Sequence, residues 1–250
     1  MRRWGHRIIA HPRVTGVTPY GYADRIMSSL TTISATIDKH TIAAVIATPA
    51  VLPAPGLVLF HDFRGLHEET KSIAEGYARQ GFLTLAVDLY RGRSSNNALM
   101  ALFHMFRVDP MLALRTSGAW VHWLRANKNC TGKVATLGWG FGGRWALYAA
   151  IETAADASVL YYGRILQDSH DLSRLKGPVL AHFAEGDGSI PKPAVEALAG
   201  EMKTAGKDLT VHWYGAGHGF ANPTARAFDP TAAALADERS LAFLNHALKA

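Results

Sequence analysis

Asp187, in Glu185-Gly186-Asp187-Gly188-Ser189, and His218, in Gly215-Ala216-Gly217-His218-Gly219-Phe220, are the side chains of this sequence best suited to moving a proton. A carboxylate against one imidazole nitrogen fixes the tautomer and stabilises the protonated ring, leaving the other nitrogen to act as a general base. Unperturbed imidazole titrates near pH ~6.5, so such a base works around neutrality. Upstream of both lies Leu137-Gly138-Trp139-Gly140-Phe141-Gly142-Gly143. Its spacing is that of a strand turning sharply into a helix, the G-x-nucleophile-x-G pattern that exposes a Ser or Cys above a sheet. Position 140, where the attacking atom would stand, is glycine.

That glycine limits the chemistry. Deleting an attacking residue costs on the order of 10⁶ in kcat, while an oxyanion hole and binding alone retain roughly 10³–10⁴ over water. Covalent hydrolysis is excluded unless another residue attacks. Cys130 precedes the Lys133–Leu137 strand, at the end remote from Gly140, and nothing aims a base at Ser94, Ser95 or Ser189. Direct attack by water on an ester or lactone stays coherent. So does proton abstraction leading to a lyase, isomerase or cyclase step, with the charge held by the backbone N–H groups of Phe141 and Phe63.

These residues need a scaffold, and the hydrophobic pattern supplies one. Thr31–Asp38 and Thr41–Thr48 read as β-branched strands joined by a tight turn at Lys39-His40. Gly56–His61, Phe82–Val87, Lys133–Leu137, Ala157–Tyr162 and Pro178–Ala184 are apolar runs, typical of strands covered on both faces, and Leu209–Tyr214 is a further strand. Helical patterns cover Glu68–Gln80, Ala98–Ala126 with a break at Asp109-Pro110, Phe141–Thr153 and about Thr231–Leu248. The fold class is α/β, a doubly wound, mostly parallel sheet flanked by helices. Ligands of such sheets bind beyond the carboxyl ends of the strands. His61-Asp62-Phe63-Arg64-Gly65, the Gly140 turn, Asp187 and His218 all fall there.

Of 250 residues, 48% are hydrophobic and one is cysteine, so no intrachain disulfide is available. Residues 1–30 are read as an N-terminal extension without fixed structure, with Met27 an alternative start, and 31–250 as a single domain. The net charge of +6 is concentrated in residues 1–26, where five arginines face Asp24 alone. The remainder is near neutral with no basic stripe, which argues against a nucleic-acid partner. No apolar run reaches the ~20 residues that cross a bilayer, and no secretory leader follows Met1-Arg2-Arg3. The expectation is a cytoplasmic protein, monomer or homodimer, acting on a small molecule without nucleic acid, membrane or cofactor.

The strand ends also carry a resemblance. From Thr31 onward the chain resembles the dienelactone hydrolase (carboxymethylenebutenolidase-like) family of the α/β-hydrolases. The match is most specific at Pro178-Val179-Leu180 through Asp187, at Val211-His212-Trp213-Tyr214 through Phe220, and at Ala232–Arg239. The order elbow, Asp, His is that of an α/β-hydrolase triad. The resemblance implies Asp187 as triad acid, His218 as base, and the Phe141 and Phe63 N–H groups as oxyanion-hole donors. It places Asp62 where the family has a Glu that tunes the nucleophile, and Gly140 where the family has Cys or Ser. Asn222 replaces the family's substrate-carboxylate arginine, and Ala98–Phe106 is apolar where the archetype supplies Arg and Tyr. A largely apolar substrate is therefore expected, contacted by Arg64, Tyr90, Trp139, Phe103 and Asn222, with Ala98–Phe106 as a cover. The rival readings are a ligand-binding pseudoenzyme and a Cys or Ser hydrolase inactivated at position 140.

Other groups carry weaker signals. His61, Asp62, His67, Glu68 and Glu69 match no common zinc spacing and read as a loop entering a helix whose first turn favours Glu, so no metal is expected. Arg64, Arg91 and Arg93 read as solvated loop arginines. His182 and His212, inside strands, read as satisfied core histidines.

Overall fold

The computed structural model describes residues 29–164 and 171–249, so the expectation for residues 1–30 falls almost wholly outside them. The chain runs β1 (Ser29–Ile37), β2 (His40–Thr48), β3 (Ala54–Phe60), α1 (Glu68–Arg79), β4 (Leu83–Val87), α2 (Ala98–Phe106), α3 (Pro110–Ala126), β5 (Cys130–Trp139), α4 (Phe141–Thr153) and β6 (Ala157–Tyr161). It then continues through β7 (Val179–Ala184), α5 (Lys192–Thr204), β8 (Leu209–Tyr214) and α6 (Pro230–Lys249). One sheet has the order β1-β2-β4-β3-β5-β6-β7-β8. β2 pairs antiparallel with both β1 and β4, and all other neighbours are parallel. Every residue of β3, β4, β6 and β7 is buried, which explains why these strands read as apolar runs without alternation.

Three local differences from the sequence reading have physical causes. The β1–β2 turn is Asp38-Lys39, not Lys39-His40. Both residues have positive φ (46° and 68°), the geometry that matches a two-residue turn to strand twist, and His40 is already paired with Ile37. β5 starts at Cys130, which pairs with Ala54, and extends to Trp139, which pairs with Tyr161. Helix α5 is a further element, hard to see in the sequence because Pro191-Lys192-Pro193 obscures its start. It buries Val195, Leu198 and Met202, an i, i+3, i+7 stripe.

His182 sits at 0% exposure, with Nδ1 2.8 Å from the Tyr214 hydroxyl and Nε2 2.9 Å from Ser240 Oγ. The same Ser240 oxygen meets the Tyr161 hydroxyl, tying β6, β7 and β8 to α6. Burial, with help from His212 and Arg239, pulls the His182 pKa down to about 3. His212 differs from expectation. It lies on the edge strand β8, stacks on His182 at 5.9 Å and stays partly exposed.

Candidate active site

The turn from β5 into α4 is built by close backbone approach. A Cβ on Gly142 would lie 2.1 Å from the Phe60 carbonyl oxygen, so glycine is obligatory there. Gly140 differs in kind. Its backbone is at φ 53°, ψ −112°, and its N–H donates to the Tyr161 carbonyl at 2.9 Å. A Cβ there would meet only ring carbons of Tyr162, at 3.9 Å, which is ordinary contact. The turn thus carries a conformation rare for side-chain-bearing residues at a point with room for a side chain. Phe141 follows as the first residue of α4, so its N–H has no acceptor within the helix.

Above the turn, His218 Nδ1 lies 2.7 Å from Asp187 Oδ2. The Asp187 side chain is 1% exposed and that of His218 41%, so a buried acid backs an imidazole that reaches the surface. The other Asp187 oxygen accepts the N–H groups of Ser189 (2.7 Å) and Ile190 (3.0 Å), which fixes the carboxylate before it meets the ring. Asp187 comes from the loop after β7 and His218 from the loop after β8.

The loop after β3 is tied to the His218 loop by a polar latch. Asp62 Oδ1 accepts the Arg64 N–H at 2.8 Å, and Oδ2 accepts Asn222 Nδ2 at 2.8 Å. The Asn222 oxygen takes the N–H and hydroxyl of Thr224, whose Oγ1 accepts Arg64 Nη1 at 2.6 Å. Asp62, Arg64 and Asn222 are therefore brought together, with Trp139, around a cavity of about 30 Å³. Tyr90 holds the same loop from the other side. Its hydroxyl donates to the Phe63 carbonyl at 3.0 Å and its ring packs 5.5 Å from that of Phe141. Burial, followed by the nearby Asp62 charge, raises the Tyr90 pKa well beyond the ordinary phenol range, so this hydroxyl stays a donor.

Two residues take roles that the sequence pattern does not assign to them. Tyr162, just past β6, has φ 39° and a buried ring 5.3 Å from His218 and 5.5 Å from Phe220. Burial, then Asp62, pushes its pKa far up, so it forms a neutral aromatic wall beside Gly140. Tyr161-Tyr162-Gly163 closing a buried strand at the same sheet end was the available signal. His61 is the second. Its Nδ1 donates to the Asp62 carbonyl at 2.7 Å and its Nε2 accepts the Leu89 N–H at 3.1 Å, which pins the tautomer. Burial lowers its pKa.

Phe103 does not join this cluster. It lies on the outer side of α2, half exposed, beneath the Arg107 guanidinium at 5.2 Å. Cys130 stands at the opposite end of β5. Among the described residues, no three His, Cys, Asp or Glu side chains are grouped to hold a metal.

The model of the dienelactone hydrolase family matches residues 42–248. A carboxymethylenebutenolidase of Pseudomonas putida is 30% identical over 220 residues, covering 83% of this chain and 92% of the relative. Another, from Cupriavidus pinatubonensis, is 28% identical over 213 residues, 80% of this chain and 90% of that one. Among solved structures, a dienelactone hydrolase-like promiscuous phosphotriesterase from metagenomic libraries superposes with TM-score 0.79 at 24% identity, covering 88% of this chain and 99% of the other. Esterase 2 of Thermogutta terrifontis gives TM-score 0.64 at 18% identity, with 90% and 96% covered. The mixed sheet and its flanking helices are the α/β-hydrolase fold.

Proposed function

The chain belongs to the dienelactone hydrolase family, and on that premise we propose that it hydrolyses esters or lactones of small, largely apolar compounds without a covalent nucleophile. The observation that carries this reading is the pairing of His218 with a fixed, buried Asp187 beside a turn whose position 140 has space but no side chain. Water in that space gives a proton to His218 Nε2 as its oxygen bonds to the carbonyl carbon. The N–H groups of Phe141 and Phe63 receive the oxyanion. Collapse of the tetrahedral species expels the alkoxide, which takes the proton back from His218, and Asp187 stabilises the imidazolium between the two transfers.

The remaining polar residues act by positioning. Asp62, Asn222 and Arg64 are bonded to one another and to Thr224, and so set the height of the Phe63 loop rather than reach for substrate. Tyr90 holds that loop through the Phe63 carbonyl. Phe141 and Tyr162 supply aromatic walls, which supports a preference for uncharged substrates. The test is a set of aryl esters and lactones assayed with His218→Gln. A loss of about 10²–10⁴ in kcat is expected for a general base. Unchanged turnover would sink the proposal, and tight binding with chemically unaltered release would favour a binding protein.

A further inference from the structure

Helix α2 is built inside out. Ala101 is its buried residue, while Leu99, Phe103 and Phe106, at i, i+4 and i+7 on one face, are 79%, 51% and 79% exposed. Met100, Leu102 and, at the start of α3, Met111 extend this apolar surface. Soluble proteins seldom leave such a contiguous patch bare without a use for it. A shallow open groove runs along it, lined by Leu99, Met100 and Phe103 with Ser95 and Asn97.

The charge around the patch has one dominant sign. Arg93 and Arg107 line one cavity beside α2 together with His104, Asp109 and Arg91, whose Nη1 lies 3.0 Å from His40 Nδ1. Asp109 already caps α3 through the N–H groups of Met111 and Leu112. Arg107 lies over the Phe103 ring, so a guanidinium and an apolar face present together.

From this we infer that α2 and its arginine border form a docking face for an anionic lipid surface, the apolar residues entering the acyl boundary and the arginines meeting phosphates. A short apolar face with basic flanks suits interfacial binding, which needs no spanning segment. No helix among the described residues is long and apolar enough to cross a membrane. The lack of a spanning run in the sequence points to no membrane partner, and a peripheral face revises that expectation. A second copy of the chain fits less well. A two-fold contact centred on α2 sets the same patch against itself, bringing the arginines of both copies together. The arginine-rich residues 1–26 add positive charge to the attraction.

Full-length protein is sedimented with phosphatidylcholine vesicles with and without phosphatidylglycerol, at low and high salt. Binding to the anionic vesicles, weakened by salt, is expected. Leu99→Ser with Phe106→Ser, and separately Arg93→Gln with Arg107→Gln, should each weaken it by about fivefold or more while circular dichroism stays native. Wild-type binding by both variants would overturn the inference and assign the affinity to the basic N-terminal residues. No vesicle binding, with a dimer in sedimentation equilibrium that Phe106→Ser dissolves, would overturn it in favour of a second copy. Because the readout is binding, it is independent of whether His218 is the base.

Discussion

Placing a thiol at the β5–α4 turn, by Gly140→Cys, probes what that turn was shaped for. The Cβ would touch Tyr162 ring carbons at 3.9 Å, so no steric overlap is added. The cost is conformational: φ 53°, ψ −112° is strained for any residue with a side chain, about 1–3 kcal/mol. At roughly 2–4 °C per kcal/mol for a domain of this size, Tm should fall by several degrees with the fold intact. The thiol would then sit beside the Phe141 N–H and near the Asp187-backed His218. A fitted nucleophile accounts for up to about 10⁶ in kcat, and regaining even a small part of that in an unadapted pocket means a rise of ~10² or more. Stopped-flow hydrolysis of p-nitrophenyl acetate should show a burst of one equivalent per chain, with an acetyl adduct in the intact mass. Adding His218→Ala should remove the burst. A folded Gly140→Cys protein with no burst, no adduct and no rate gain would refute the placement of position 140 at the reacting centre.

Three further outcomes follow from named contacts. Asp187→Asn keeps the shape but lets the imidazole choose the wrong tautomer, so kcat should drop by roughly 10²–10⁴ with KM little changed; an unaltered kcat in the purified variant would remove Asp187 from the mechanism. Asn222→Ala leaves Asp62 Oδ2 without its 2.8 Å donor, and the half-buried latch should lose about 1 kcal/mol, read as a lower Tm together with a raised KM; a variant identical in both would show that the latch does not position the Phe63 loop. His182 is neutral when folded, with a pKa near 3 against an ordinary value of 6.5, so below pH ~6.5 the unfolded chain binds the extra proton. Stability should therefore decline as pH falls from ~6.5 to ~3, by up to ~1.4 kcal/mol per pH unit from this group, and denaturant titrations of His182→Gln should show a flatter slope.

The sequence made the sheet legible because β3, β4, β6 and β7 are buried along their full length, and such strands cannot hide their apolar runs. Asp187 and His218 were legible because their types, order and strand-end settings coincide. What stayed hidden depends on distances between remote segments. Nothing local marks Asn222 as the partner of Asp62, 160 positions away. Tyr162 looks like the tail of a strand until its positive φ turns the ring toward His218. The Ala98–Phe106 stretch is apolar in the sequence, but periodicity cannot say which way a helix faces, and α2 turns Phe103 outward.

The claim that His218 activates water directly, with no covalent intermediate, is tested most directly by rapid acid quench of the wild-type protein turning over an activated ester, followed by intact-mass measurement across the first turnovers. Product release is expected with the chain at its unmodified mass at every time point. An acyl adduct that forms and decays at the rate of turnover, on any residue, would contradict it.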